Sequence, residues 1–178
     1  MKKNVKLIIV LFLCVNSYGQ QKFNFDKNGL TDFLVLKIES KNQKKLYLKT
    51  INWIKETYKN PDEVINSKIE NEKIFIEGIS RTALSIGGGS ALDAKYSIEI
   101  AFKEGKIKFN PTKLEYYTKE YGWNNIFTGV NAKRYYKRKG NARSIYEKLV
   151  TDIPNVFNNL SKDLEDYILG KKKKEEDW

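Results

Sequence analysis

Histidine is absent from all 178 residues, and cysteine occurs once, as Cys14. The usual general base near neutral pH, which is also the commonest metal ligand, is therefore missing. Ser-His-Asp and Cys-His catalysis and histidine-based zinc or iron sites are excluded. Paired carboxylates, or calcium or magnesium held by carboxylates, stay formally open, but no D-x-D-x-D-G run is present. Proline is scarce (Pro61, Pro111 and Pro154). Long apolar runs are scarcer still: the one such run is Leu7 to Val15.

That run is too short for a membrane-spanning helix, which needs roughly 18–20 residues. Lys2, Lys3 and Lys6 precede it, and small residues follow, with Ser17 at −3 and Gly19 at −1. The pattern is that of a secretory signal, cleaved after Gly19 or after Gln20. A retained anchor and an apolar first strand are the alternatives. Cys14 follows Leu13, where a lipoprotein signal wants a small residue, so lipidation is a side alternative. With residues 1–20 removed no cysteine remains, and a disulfide framework is excluded even in a compartment that permits one.

The remaining 158 residues suit one domain, burying about 70% of the unfolded chain's surface. The formal net charge of +11 falls to +8 with the three signal lysines. Such a surplus favours anionic partners and also serves solubility.

Residues 31–39 alternate, with Leu34, Leu36 and Ile38 on one side, as in a half-buried strand. Ser40 to Gln43 has the form of a capping box. Tyr47, Ile51, Ile54 and Tyr58, with Trp53 beside them, predict a helix over 41–59 ended by Asn60-Pro61. A hairpin of 64–70 and 73–79 turns at Asn71-Glu72, and a loop over 81–93 surrounds Gly87-Gly88-Gly89. Residues 94–103 give the clearest strand: Ala94, Tyr96, Ile98, Ile100 and Phe102 alternate with Lys95, Ser97, Glu99 and Lys103. Glu104-Gly105 turns into 106–109, and Asn110-Pro111 interrupts before 113–118, at a bulge or an edge. Residues 119–140 read as irregular, aromatic and basic. Two helical segments follow: 142–150, with Ile145 and Leu149, and 154–169, with Phe157, Leu160, Leu164 and Ile168, closed by Gly170. The fold class is α+β, in the order β-α-β-β-β-β-α: an antiparallel sheet of about five strands with two helices on one face. The expected division is a signal peptide over 1–20, a single domain over 21–170 and a charged, frayed tail over 171–178.

The chain resembles a family of exported bacterial domains, domain-of-unknown-function family 4468. The resemblance is carried by Thr50-Ile51-Asn52-Trp53-Ile54, by Tyr58-Lys59-Asn60-Pro61-Asp62-Glu63-Val64-Ile65, and by Ile69-Glu70-Asn71-Glu72 and Glu77-Gly78. Asp93 to Ile100, Ile153-Pro154-Asn155 and Phe157-Asn158-Asn159-Leu160 complete it. It spans roughly residues 30–168 and implies export and a curved, TATA-binding-protein-like sheet. It implies no catalytic residue and no cofactor. An exported protein of this fold is not expected to meet genomic DNA; the name of the fold is an analogy.

The densest basic run is Lys133-Arg134-Tyr135-Tyr136-Lys137-Arg138-Lys139, five cations without an acid. Arg143 and Lys148 extend it, and Tyr121, Trp123 and Phe127 precede it. Aromatic rings can stack on a ligand while cations hold phosphate or sulfate. This makes Lys133, Arg134, Tyr135, Tyr136, Lys137, Arg138, Lys139 and Trp123 the candidate ligand contacts, with no catalytic and no metal residues. The other reading is a solvated loop whose tyrosines cover a sheet edge or helix ends. The Gly87 to Gly89 loop reads as an anion cradle or, better, as a connection between strands, because it leads into no helix. Glu70/Glu72 and Glu115/Glu120 are the closest acidic pairs. Trp53 reads as core rather than as a ligand platform.

The function expected from these residues is a non-enzymatic binding module of the cell envelope, taking an anionic glycan, an acidic lipid or an envelope protein. A structural subunit docking by protein–protein contact and a paired-carboxylate hydrolase are the alternatives. Export predicts that chains in the periplasm or medium begin at Gln20 or Gln21. N-terminal sequencing checks this, and a cytoplasmic pool with Met1 intact overturns it.

Overall fold

A computed structural model describes residues 22–88 and 90–171. The expected signal segment and cleavage sites, Gly89, and the tail beyond Lys171 lie outside the described residues. Among those residues no helix is long and apolar enough to cross a membrane.

The chain opens with a two-strand hairpin, β1 (Phe25–Asp26) and β2 (Gly29–Leu30), and then enters the main sheet at β3 (Leu34–Lys37). α1 (Gln43–Thr57) and a single turn, α2 (Pro61–Val64), carry the chain across to the opposite edge. There β4 (Ile65–Ile69), β5 (Lys73–Ile86), β6 (Ser90–Lys103) and β7 (Lys106–Thr118) meander back. β8 (Gly122–Asn125) folds onto the end of β7, and α3 (Glu147–Leu169) closes the domain. The sheet order is β3-β7-β6-β5-β4 with β8 beside β7, all antiparallel. The class read from the pattern is the one found; α2, β8 and the β1–β2 hairpin are additional.

The core follows from register. Ile74 pairs with Ile100, which pairs with Phe109, and Leu36 pairs with Ile107, so the apolar sets of four strands share one face. α1 and α3 cover that face with Leu46, Trp53, Ile54, Ile153, Phe157, Leu164 and Ile168, all buried.

Several expectations are corrected. The Ser40 capping box does not form. Ser40 sits in a turn closed by Lys41 N–H on the Ile38 carbonyl, and Asn42 is the N-cap, its Oδ1 accepting from Lys45 N–H at 2.8 Å. Gln43 instead donates to the Asn71 carbonyl at 2.9 Å, tying the helix start to the β4–β5 turn. The buried stripe of α1 runs through Leu46, Thr50 and Trp53, leaving Ile51 at its margin. The loop expected over 81–93 is mostly strand. β5 and β6 continue almost to the glycine turn, past a bulge between Ser80 and Leu84, where Thr82 (φ 51°) and Arg81 both donate to the Asp93 carboxylate. That bulge breaks the two-residue period, which is why the pattern reads as loop. The bulge expected at Asn110-Pro111 is present, with Thr112 Oγ1 donating to the Ser97 carbonyl, but β7 runs through it without a break. The two helices expected over 142–169 are one 23-residue helix with Pro154 inside it, preceded by a 3₁₀ turn at Ser144–Tyr146. Proline there removes a single donor, and burial of Leu149, Ile153 and Val156 holds the helix together across it. Ile145 is exposed, not core.

Trp53 is fully buried between the helices; its indole N–H donates to the Asp163 carboxylate on α3 at 2.7 Å and its ring meets Tyr58 edge-on. Trp53→Ala is expected to cost about 3–5 kcal/mol in urea unfolding. A loss below about 0.5 kcal/mol would contradict this packing.

Candidate functional site

Beyond β8 the chain leaves the sheet and wraps around its end. Ile126 N–H donates to the Leu114 carbonyl and its side chain is buried, which fixes the departure point. Leu30 N–H donates to the Thr128 carbonyl at 2.7 Å. Gly29 (φ 126°) makes that approach possible, since a Cβ there would lie 2.5 Å from the Thr128 oxygen. A 3₁₀ turn, Val130–Tyr135, follows and buries Ala132 and Tyr135. The backbone then forms a tight turn: Lys137 N–H donates to the Asn141 carbonyl, Gly140 N–H to the Lys137 carbonyl, and Tyr136 bridges Ala142. Arg143 N–H closes it on the Tyr135 carbonyl, and Arg143 Nε donates to the Tyr136 carbonyl.

This arrangement divides the basic-aromatic stretch by role and corrects the expectation for its tyrosines. Tyr135 is 5% exposed; its ring packs on Phe25 and Tyr146, and its hydroxyl accepts from Phe127 N–H at 3.0 Å. Tyr136 is half-buried beside Phe25, and its hydroxyl donates to the Phe25 carbonyl at 3.0 Å. Burial pushes both phenols above their ordinary range, the Phe127 amide opposing it at Tyr135 and Asp26 adding to it at Tyr136. Both are anchors; the Tyr135 ring is buried, and the Tyr136 ring stays partly exposed. Lys133, Arg134, Lys137, Arg138 and Lys139 are all exposed. Among the described residues no carboxylate forms an ion pair with any of them. The Arg134 guanidinium stacks on Phe127, 4.7 Å from the ring centroid. Beneath it runs a shallow groove of about 330 Å³ lined by Thr112, Lys113, Phe127, Val130 and Asn131.

Trp123 is not part of this cluster. It pairs with Tyr117 on the uncovered sheet face, ring centroids 5.3 Å apart, with Lys95 Nζ 5.0 Å over its ring. On that face Glu115 is 7% exposed and holds Lys113 and Lys95, each at 3.0 Å, the latter as an ion-pair contact rather than an aligned hydrogen bond. Burial alone would raise the Glu115 carboxyl, but the two ammoniums outweigh it and hold it below the usual range. Lys73 pairs with Glu99, and Ser97 donates to Glu77. Glu70 and Glu72 are exposed at the β4–β5 turn. Among the described residues no three carboxylates gather as a metal site would require. Sequence reasoning missed the contributions of Phe25 and Gly29, because each depends on a contact far along the chain; only the placement of Lys95 on an outward face was readable.

Two solved structures share this architecture. One is a protein of domain-of-unknown-function family 4468 from Bacteroides ovatus, with a TM-score of 0.63 and 14% identity over 79% of this chain and 86% of that one. The other is a TBP-like protein from Parabacteroides distasonis, with a TM-score of 0.58 and 16% identity over 77% of this chain and 90% of that one. The chain has a TATA-binding-protein-like fold. No protein-family model matches the sequence, and no curated protein matches it. At this identity the likeness carries the fold, which agrees with the resemblance read from the sequence, and no activity.

The Glu115 cluster has a pH signature. A carboxyl whose folded pKa is depressed stabilises fully above its unfolded value, about 4.3, and loses that contribution as pH falls through the lower folded value. Glu115→Gln is expected to cost about 1–2 kcal/mol at pH 7 and nothing measurable by about pH 2. Urea midpoints of both proteins across that range check this, and an unchanged difference at low pH contradicts it.

Proposed function

We propose that the chain is exported and works without catalysis, as an envelope interaction module that docks an anionic partner on the basic turn at 133–139. The observation that carries this reading is the contrast between two surfaces. On the open sheet face Lys73, Lys95 and Lys113 pair with Glu99 and Glu115, whereas the five cations of the turn fall within seven residues, form no ion pair with a carboxylate among the described residues, and are held on a backbone fixed by Tyr135 and Tyr136. Concentrated like charge on an ordered surface attracts counter-charge over about 8–10 Å at physiological salt. Against the hydrolase alternative stands Glu115: its carboxyl is lowered and paired with cations, whereas a general acid needs a raised one.

The test is retention on immobilised dextran sulfate at two salt concentrations. Reversing Arg134, Lys137, Arg138 and Lys139 to glutamate is expected to weaken binding about 100-fold or more, with an unchanged circular dichroism spectrum, and added salt is expected to weaken the wild type. Equal elution of the two proteins at low salt overturns the proposal.

A further inference from the structure

Beside the cations lie two apolar side chains that the fold leaves in water. Val130 is 81% exposed and Phe127 39% exposed, and both line the groove next to Arg134. Val130 opens the 3₁₀ turn, so Lys133, three residues on, eclipses it on the same side. Arg134 covers the ring of Phe127. The surface therefore presents two apolar groups next to Lys133 and Arg134, with Lys137, Arg138 and Lys139 on the adjoining turn.

Resting on the anionic-partner reading, we infer that the partner is the surface of an anionic lipid bilayer, with Val130 and Phe127 entering the headgroup region while the cations meet lipid phosphates. A hydrated anionic glycan rewards the cations but gains little from an exposed aliphatic residue. A bilayer interface rewards both, because apolar area leaves water there and each nearby cation raises partitioning by about fivefold. Val130 suits this role because it contributes almost nothing to the core: its side chain is the most exposed of the large apolar residues described.

The experiment uses the protein as isolated from the envelope fraction or medium. It is sedimented with phosphatidylglycerol–phosphatidylcholine vesicles and with phosphatidylcholine vesicles, and run in parallel on dextran sulfate. Val130→Ser is expected to lower partitioning onto the anionic vesicles by about fivefold, and Val130→Trp to raise it by about tenfold with a blue shift of the indole emission. Both variants are expected to elute from dextran sulfate with the wild type. If both bind the anionic vesicles as the wild type does, the bilayer inference fails while the anionic-partner reading stands, and a soluble glycan becomes the partner. If the wild type is retained by neither vesicles nor dextran sulfate, both readings fail.

Discussion

Register along β6 is the constraint on which the rest of the molecule depends. Ala94, Tyr96, Ile98, Ile100 and Phe102 are all buried, while Lys95, Ser97, Glu99 and Lys103 lie on the other face. A slip of one residue against β5 or β7 would exchange the two sets and place the charges beneath the helices. Contacts specific to one register prevent it. Tyr96 stands across from Gly78, where a Cβ would lie 2.5 Å from the phenol oxygen. The space left by the missing side chain lets that hydroxyl meet the Tyr58 hydroxyl at 2.8 Å, at the end of α1. Sheet register and helix position are thereby set together, and Trp53 and Asp163 extend the link to α3.

Covering only one face leaves the other to find its own electrostatic balance. Cross-strand neighbours do this locally: Lys95 stands opposite Glu115, and Lys73 is diagonal to Glu99. Such pairs are individually weak where solvent reaches them, and they offset only part of the charge on that face, which also carries Lys103, Lys106 and Lys108. The segment that wraps the sheet's end differs in density: five cations fall within seven residues, and among the described residues no carboxylate pairs with them.

Much of this was legible in the sequence because it depends on short-range periodicity. The alternation of β6, the turn at Asn71-Glu72, the burial of Trp53 and the helix end at Gly170 all follow from residues within a turn or two of one another. The errors have a common physical origin. The bulge at 81–83 inserts residues that break the period without ending the strand. Pro154 stops a helix only where no tertiary burial spans it, and here Ile153 and Val156 supply that burial. Ser40 had the composition of a cap, but the turn after β3 already used its position. For the candidate site, the cations were identifiable by composition, while the neighbours that sort them from the tyrosines lie about 110 residues away.

The tyrosines explain why the charged turn can be ordered at all. Residues 126–146 form no extended ladder and bury few side chains of their own, so their backbone amides and carbonyls need partners from elsewhere. A phenylalanine would supply burial alone. Tyrosine supplies burial and a hydroxyl, and Tyr135 uses its hydroxyl to satisfy the Phe127 amide while Tyr136 satisfies the Phe25 carbonyl. Two adjacent rings thus fasten the wrap at the exit of the 3₁₀ turn, and the like-charged side chains on either side of them are held close despite their repulsion. The alternation of cation and aromatic in this stretch is therefore two interleaved functions on one short backbone: aromatics turned inward to fix it, cations turned outward with their charge unspent.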